Sequence, residues 1–273
     1  MITENAYAKI NLALDVVRKR ADQFHDLKMI TIPLELHDVL TFEESDQIEL
    51  DANQQIEDNS ILKAAKLMKD TYQVAQGAKI NLTKNIPVGA GLGGGSADIA
   101  ATLRGLNRLW KLDKSLEELE QIALKLGSDT VFCLHNKSAY VYGRGENLLF
   151  ITDPPVQDIY LYYPDIEVST KKVFENLIIN HEPQRFNRLF TLYVNEKFKN
   201  FFEKYYNVLT ETSMTLYPEL RTIQKQIRKL SRYARMSGSG STFFIPIFSE
   251  NERKIIKKTE KLGLNMIKTK VKH

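Results

Sequence analysis

The feature that most constrains this chain is a glycine-rich run between a predicted strand and a predicted helix. It reads Pro87-Val-Gly-Ala-Gly-Leu-Gly-Gly-Gly-Ser-Ala-Asp98 and places glycine at positions 89, 91, 93, 94 and 95. Glycine lacks a Cβ atom and adopts positive φ readily, so the backbone N–H groups of such a run can line a concave surface. A helix that begins directly behind the run adds unpaired N–H groups and a partial positive charge. The combination is typical of a phosphate-binding loop.

The sequence on both sides of this run supports a loop with a fixed structure. Residues Lys79 to Leu82 alternate between polar and apolar, as in a strand. Behind the run, apolar residues recur at the 3.6-residue spacing of a helix, namely Ile99, Leu103, Leu106 and Trp110. A flexible glycine-rich linker has neither flank, so the patterns favour phosphate binding over a linker or a tight turn. The run has neither the Gly-Lys-Ser/Thr end of a Walker loop nor the downstream acidic residue of a dinucleotide-binding fingerprint.

Several polar residues have both a structural and a functional interpretation. Ser96 could cap the helix behind the glycine run or bind a metal through its hydroxyl. The stretch from Ala8 to Val16 alternates strictly, which places Lys9 and Asn11 side by side on one strand face. That face is either the wet side of a half-exposed strand or part of a binding site. His25 is either a packed histidine or a ligand contact, and the local pattern favours packing.

An acidic residue directly behind a helix is a further candidate. Ser115-Leu-Glu-Glu118 is a capping box that begins a helix, and Gly127 is a natural residue for ending it. Asp129 follows at once, where the negative end of the helix dipole disfavours a carboxylate. It is therefore either a cap for a following turn or a functional group, and the local pattern leaves both open.

The second half of the chain carries a second glycine-rich loop. Residues 174–217 are rich in Phe, Tyr, Asn and Lys, and we expect this region to be helical. Pro218 suits the first position of a further helix. The second loop, Met236-Ser-Gly-Ser-Gly-Ser-Thr242, follows that helix and precedes a predicted strand that ends at Phe248.

The composition is that of an ordinary globular protein of 273 residues with a formal net charge of +4. Apolar runs stay well short of the roughly 20 residues that cross a bilayer, and the N-terminus lacks the pattern of a signal peptide. The single Cys133 excludes an internal disulfide and is interpreted as a core residue in a reducing compartment. The basic stretch from Arg253 to Lys272 has no interleaved aromatics and suits an amphipathic surface helix. We therefore expect a cytoplasmic protein that acts on a small molecule, without nucleic-acid or membrane partners.

Four separated segments together resemble the GHMP kinase family. They are Ala6-Tyr-Ala-Lys-Ile-Asn-Leu12, the glycine run Pro87 to Asp98, Gly127-Ser-Asp129 and Met236-Ser-Gly-Ser-Gly240, in matching order and rough spacing. The resemblance implies an α+β fold of the GHMP kinase type, with a ribosomal S5-like ATP-side subdomain and an α/β substrate-side subdomain. It also implies an N-terminal ATP-binding domain over residues 1–150 and a C-terminal domain over residues 151–273.

The resemblance implies how ATP, accompanied by Mg²⁺, is bound and used. Asp129 matches the catalytic aspartate that takes the proton of the substrate hydroxyl, and Lys9 matches the lysine that holds both groups in place. Ser96 is the implied magnesium ligand, while Asn59 and Lys84 match positions that contact the adenosine part. The ATP phosphates are expected along the run itself, at Pro87, Gly89, Gly91, Gly93, Gly94, Gly95 and Ser96.

The resemblance also implies how the acceptor is recognised. Asn11 matches a substrate-contacting asparagine. Phe24 and His25 fall where a cytosine ring is bound, with Phe174 as the second stacking partner and Thr170 beside it. The Ala-Lys-Ile-Asn-Leu start and the Asp-x-Phe-His turn resemble one branch of the family. That branch phosphorylates the 2-hydroxyl of 4-diphosphocytidyl-2-C-methyl-D-erythritol in the non-mevalonate isoprenoid pathway.

Departures from the family pattern leave two alternatives to this acceptor. Gln23 stands where the family usually has glycine, Phe24 replaces a tyrosine, and Val131 replaces a proline. One alternative is a GHMP kinase for another small alcohol, of the mevalonate or sugar type. The other is a nucleotide-binding protein of this fold without turnover, which the presence of both Lys9 and Asp129 disfavours.

Overall fold

The computed structural model describes residues 1–54, 60–156, 158–180, 184–248, 252–262 and 265–273, and they form two compact units. Both units are discontinuous in sequence. Unit 1 comprises Met1–Lys9, Leu36–Val88 and Gly93–Asn136, and unit 2 comprises Ile10–Glu35, Gly89–Leu92 and Lys137–His273. The expected mixture of helices and strands is confirmed, whereas the domain boundary at residue 150 stays a prediction.

The strands and helices follow each other in the order of an α+β protein. The strands are Ile2–Lys19 (β1), His25–Ser45 (β2), Ile48–Ala52 (β3), Gly77–Thr83 (β4), Ala139–Gly143 (β5), Asn147–Phe150 (β6), Asp158–Tyr162 (β7), Arg235–Met236 (β8), Phe243–Ile247 (β9) and Met266–Thr269 (β10). The helices are Ser60–Tyr72 (α1), Gly94–Leu109 (α2), Leu116–Leu126 (α3), Thr130–His135 (α4), Thr170–Glu175 (α5), Arg185–Val194 (α6), Phe198–Lys204 (α7), Leu209–Leu216 (α8), Glu219–Leu230 (α9) and Glu252–Leu262 (α10).

In unit 1, helices pack on a sheet, and helix α2 begins within the glycine run. Strand β4 pairs antiparallel with the second half of β2 and parallel with β3. Helix α2 comes so close to this sheet that a Cβ atom at Gly105 would lie 2.2 Å from the ring of Phe42. The predicted apolar stripe of α2 is buried, which confirms the helical interpretation of the pattern behind the run.

Local signals around α2 and α3 are mostly confirmed. Ser115 caps α3 by accepting from Glu118 N, the side chain of Glu118 completes the capping box, and Gly127 ends the helix. The cap of α2 is Gly93, at φ 73°, and Ser96 is the third residue of the helix. The prediction that Ser96 could be the cap is therefore wrong, because the left-handed backbone of Gly93 begins the helix earlier.

Unit 2 contains the first half of β2 and a separate antiparallel sheet. The first half of β2 pairs with β5, and β5 pairs with β6. The separate sheet has the strand order β10-β7-β9-β8. The second glycine-rich loop precedes a strand, β9, as predicted, but it follows the short strand β8, which the sequence pattern did not indicate. Helices α6, α7 and α8 confirm the helical interpretation of residues 185–216 in the aromatic-rich region.

Strand β1 differs from its predicted pattern because both of its faces are covered. Every residue from Ala8 to Val16 is buried, including Lys9, Asn11 and Asp15. The interpretation of Lys9 and Asn11 as the wet side of a half-exposed strand is therefore wrong. Buried polar groups need partners, and the hydroxyl of Tyr206 donates to Asp15 Oδ2 at 2.6 Å. In the described parts of the chain, no helix combines the length and apolar character that crossing a bilayer requires.

Candidate active site

An ion pair between β1 and the start of α4 is the centre of the candidate site. Lys9 Nζ lies 2.9 Å from Asp129 Oδ2. The lysine side chain is only 6% exposed, whereas the aspartate side chain is 35% exposed. Asp129 occupies the cap position of α4 but makes no side-chain capping hydrogen bond within the described chain. The capping alternative is therefore wrong, and the carboxylate is paired with a buried cation while remaining accessible to a ligand.

The glycine run contacts this ion pair through Gly93. A Cβ atom at Gly93 would lie 2.8 Å from Lys9 Cγ and 2.9 Å from Lys9 Cε. Only glycine leaves room for the lysine stem here, and its φ of 73° lies in the left-handed region that glycine adopts readily. The predicted phosphate loop and the predicted catalytic lysine are thus in direct contact.

The start of α2 has the properties of an anion site. Ala97 N donates to Gly93 O at 2.9 Å, so the N–H groups of the three preceding helical residues have no carbonyl within the helix to bind. A Cβ atom at Gly95 would meet nothing within 4 Å, which leaves open space above this turn. Ser96 Oγ lies 3.8 Å from the position of a Cβ atom at Gly127. The helix start therefore faces the Gly127-Ser-Asp129 segment, as a phosphate donor site would require.

A buried charge cluster that the sequence analysis did not identify lies beneath the helix start. Lys84 Nζ donates to Asp38 Oδ2 and, at 2.8 Å, to Asp98 Oδ2. All three side chains are at most 4% exposed. Burial raises the pKa of Asp98 to about 7, and Lys84 opposes this rise. The ammonium of Lys84 is bound to these two carboxylates, and the predicted contact of Lys84 with adenosine stays a prediction. The other predicted adenosine contact, Asn59, lies outside the described residues.

In unit 2, Asn11 is held by polar neighbours. Its Nδ2 donates to Thr31 Oγ1 at 3.0 Å, and a Cβ atom at Gly238 would lie 3.6 Å from its Oδ1. Residues of the two glycine-rich loops also touch within this unit. A Cβ atom at Gly91 would lie only 2.5 Å from Gly240 O, so the two backbones approach more closely than any side chain would allow.

The residues expected to bind a nucleobase form ring contacts in unit 2. The rings of His25 and Phe174 lie 5.1 Å apart at 34°. Burial and the nearby Lys19 lower the pKa of His25, so its imidazole is neutral at pH 7. Phe24 is 47% exposed, and the guanidinium of Arg144 lies 3.9 Å from its ring centre. Arg144 lies in the turn between β5 and β6, where nothing in the sequence pattern indicated a ring contact.

Thr170 makes one contact with the second glycine-rich loop. Its hydroxyl is 2.8 Å from Ser239 Oγ. A second loop residue, Ser237, donates from its hydroxyl to Gly91 O at 3.0 Å. Within unit 2, the second loop therefore contacts part of the first loop and also Thr170, which is predicted to bind the acceptor substrate.

Comparison with known families identifies the chain. A model described as the GHMP kinases N terminal domain matches residues 59–137, and one described as GHMP kinases C terminal matches residues 194–260. A 4-diphosphocytidyl-2-C-methyl-D-erythritol kinase of Geobacillus sp. (strain WCH70) is 40% identical over 247 residues, covering 88% of this chain and 86% of its own. The chain belongs to the GHMP kinase family.

Two further relatives extend this result. The protein of the same name from Bacillus subtilis (strain 168) is 39% identical over 251 residues, covering 89% of this chain and 87% of its own. The crystal structure of a 4-(cytidine 5'-diphospho)-2C-methyl-D-erythritol kinase superposes with a TM-score of 0.78 at 29% identity, covering 98% of both chains. The GHMP kinase fold implied by the sequence motifs is therefore confirmed over nearly the whole chain.

Proposed function

We propose that this GHMP kinase transfers the γ-phosphoryl group of ATP to the 2-hydroxyl of 4-diphosphocytidyl-2-C-methyl-D-erythritol. The observation that carries the proposal is the pairing of buried Lys9 with accessible Asp129, in contact with Gly93 of the glycine run. The names of relatives about 40% identical over most of the chain support this acceptor.

The first task of the site is to hold the phosphates of ATP. Free N–H groups at the start of α2 donate to phosphate oxygens, and the helix dipole adds positive potential there. The open space at Gly95 gives the phosphates access to the backbone. Phosphoryl transfer requires mainly positioning and charge compensation from the protein, and this helix start provides both.

The second task is to aim the acceptor oxygen. Asp129 accepts the proton of the acceptor hydroxyl as the oxygen forms a bond to the γ-phosphorus, while the bond from that phosphorus to the β–γ bridging oxygen breaks and ADP leaves. Lys9 fixes the Asp129 carboxylate through their ion pair and offers positive charge where negative charge develops. Holding the hydroxyl and the phosphate in this arrangement supplies much of the rate enhancement.

We assign the magnesium ion of the nucleotide to Ser96. Mg²⁺ usually keeps several waters and takes few protein ligands besides phosphate oxygens. The residues present fit this use, because the hydroxyl of Ser96 is available on the first turn of α2. When bound, the ion would neutralise phosphate charge.

We assign acceptor recognition to residues of unit 2. A neutral His25 can donate and accept hydrogen bonds with a cytosine edge, and Phe24 and Phe174 offer aromatic faces. Asn11 and Thr170 are assigned to the polar part of the acceptor. Compared with a tyrosine at this position, Phe24 is expected to keep the aromatic face for stacking and to lose the hydrogen bond of the hydroxyl.

The test is a phosphoryl-transfer assay on the purified protein with ATP, Mg²⁺ and the cytidyl acceptor. Phosphorus NMR should show ADP and a new phosphomonoester on the acceptor, and Asp129→Asn should abolish most of this signal. The exposed Asp70→Asn, on α1, is the matched control and should behave like the wild type. A higher kcat/KM with mevalonate or a sugar would contradict the acceptor but keep the reaction class. ATP binding without transfer to any alcohol would contradict turnover itself.

A further inference from the structure

The backbone of Gly94, the first residue of α2, rests on two side chains beneath it. A Cβ atom at Gly94 would lie 3.2 Å from Ile86 Cγ2 and 3.3 Å from Lys84 Nζ. Its N–H group is one of those that face the proposed phosphate site. Ile86 and Lys84 are therefore packed against the backbone that carries this N–H group.

Both of these neighbours are held by one carboxylate, that of Asp38 on β2. Asp38 Oδ2 accepts from Lys84 Nζ, while Asp38 Oδ1 accepts from Asn85 N at 2.5 Å and from Ile86 N at 2.8 Å. The side chain of Asn85 donates in addition to His37 O at 2.9 Å. The end of the chain segment that leads into the glycine run is thus fastened to β2 at four points.

Burial makes the carboxylate of Asp38 dependent on these partners. It is 0% exposed, and a buried carboxylate is tolerated only when it is paired and hydrogen-bonded. Hydrogen bonds to an ionised group are shorter and about twice as strong as neutral ones. Three such hydrogen bonds to Asp38 hold residues 84–86 more firmly than an apolar contact would.

We propose that Asp38 is a positioning residue for the phosphate loop, acting through Lys84 and the Asn85–Ile86 backbone to hold Gly94 in its phosphate-binding position. The inference rests on the proposed function in that it takes a nucleotide as the ligand of the loop. It gives Asp38 no contact with substrate. It also assigns the ammonium of Lys84 a place beneath the loop.

The main test compares Asp38→Asn with the wild type. The asparagine Oδ1 still accepts from the backbone, but one of the two carboxylates that hold Lys84 loses its charge, and only Asp98 remains as its acidic partner. The KM for ATP and the Kd for ADP should rise about 10- to 100-fold, the range found when outer-shell partners of the ligating groups are removed at metal sites. The KM for the acceptor should stay within twofold. Asp46→Asn, which changes an exposed aspartate of the turn between β2 and β3, is the matched control and should change neither constant.

A second variant covers the case in which Asp38→Asn does not fold. Asp38→Glu keeps the charge and moves the carboxylate by one methylene, so it should fold and raise the Kd for ADP several-fold. Variants that fold and bind ADP within twofold of the wild type overturn the inference. So does a parallel rise of both KM values with a fall in Tm, because that pattern indicates a structural role alone. ADP binding requires no acceptor, so a wild type that binds ADP but phosphorylates no alcohol contradicts only the proposed function.

Discussion

Two groups of candidate residues differ in how they are held. The reaction group in unit 1 consists of charges whose partners are fixed by the fold. Lys9, Asp38 and Lys84 are buried, and Asp129 is the accessible member. The recognition group in unit 2, with Phe24 and His25, consists of half-buried or exposed rings. A buried charge that loses its partner is strongly destabilising, whereas a partly exposed ring can change at little cost to folding. The reaction class is therefore the more constrained property of this protein, and the acceptor is the more adaptable one.

The largest effect should come from breaking the reaction group at its accessible end. Asp129→Asn removes the proposed proton acceptor and should lower kcat by about 10²- to 10⁴-fold, the range for loss of general base catalysis. Steady-state kinetics with saturating ATP and acceptor would measure it. The variant also takes the charge from the ion-pair partner of buried Lys9, so we expect a lower Tm, and circular dichroism would check that the variant is folded. A kcat within fivefold of the wild type would exclude Asp129 as the base.

A second test separates contact from open space within the glycine run. Gly93→Ala places a methyl group 2.8 Å from Lys9 on a backbone with φ 73°, and should lower kcat/KM about 100-fold by displacing the lysine. Gly95→Ala, where a methyl group meets no protein atom within 4 Å, is the matched control for folding. Its Tm should equal that of the wild type. A Gly93→Ala variant with the Tm and the kcat/KM of the wild type would contradict the packing of Lys9 against the run.

The recognition group should respond more weakly and in a different constant. Phe174→Ala removes the ring contact with His25 and should raise the KM for the cytidyl acceptor about tenfold, with little change in kcat or in the KM for ATP. Ile178→Ala, at an exposed position beyond α5, is the control. A loss of kcat as large as that of Asp129→Asn would remove the distinction between the two groups.

The smallest effect concerns a backbone departure in the recognition group. Gln23 has a φ of 67°, in the left-handed region that favours glycine, at the position where the family usually has glycine. Gln23→Gly should relieve this strain and raise stability by about 0.5–1 kcal/mol, less than the full cost of the left-handed form because glycine loses more entropy on folding. Thermal unfolding would show a rise of a few degrees. Gln121→Gly, inside α3, should lower stability by about 1 kcal/mol and so give the opposite sign.

The sequence predicted what local signals determine. The capping box at Ser115 and the ending of α3 at Gly127 depend on neighbours within a few residues, and both are confirmed. The apolar stripe of α2 is confirmed for the same reason. For β1, the alternating pattern predicted an exposed face that is in fact buried. Alternation indicates a strand, but it does not indicate which other elements cover the second face of that strand.

Contacts between residues far apart in the sequence could be predicted only from the family resemblance, and some could not be predicted at all. Lys9 and Asp129 lie in distant segments, and their spacing alone does not indicate that they meet. Asp38 begins a stretch that alternates like an ordinary strand, so its role beneath the glycine run has no local signal. The contact of Arg144 with Phe24 depends likewise on how β5 and β6 are placed in the fold.

The close approach of Gly91 to Gly240 and Ser237 affects how glycine signatures should be used in this fold. A methyl group at Gly91 would lie 2.5 Å from Gly240 O and 2.7 Å from Ser237 O, irrespective of any nucleotide. Selection for a stable fold alone would therefore preserve this glycine in a descendant that had abandoned phosphoryl transfer. When genomes are searched for active members, the lysine and aspartate of the ion pair are the more informative markers.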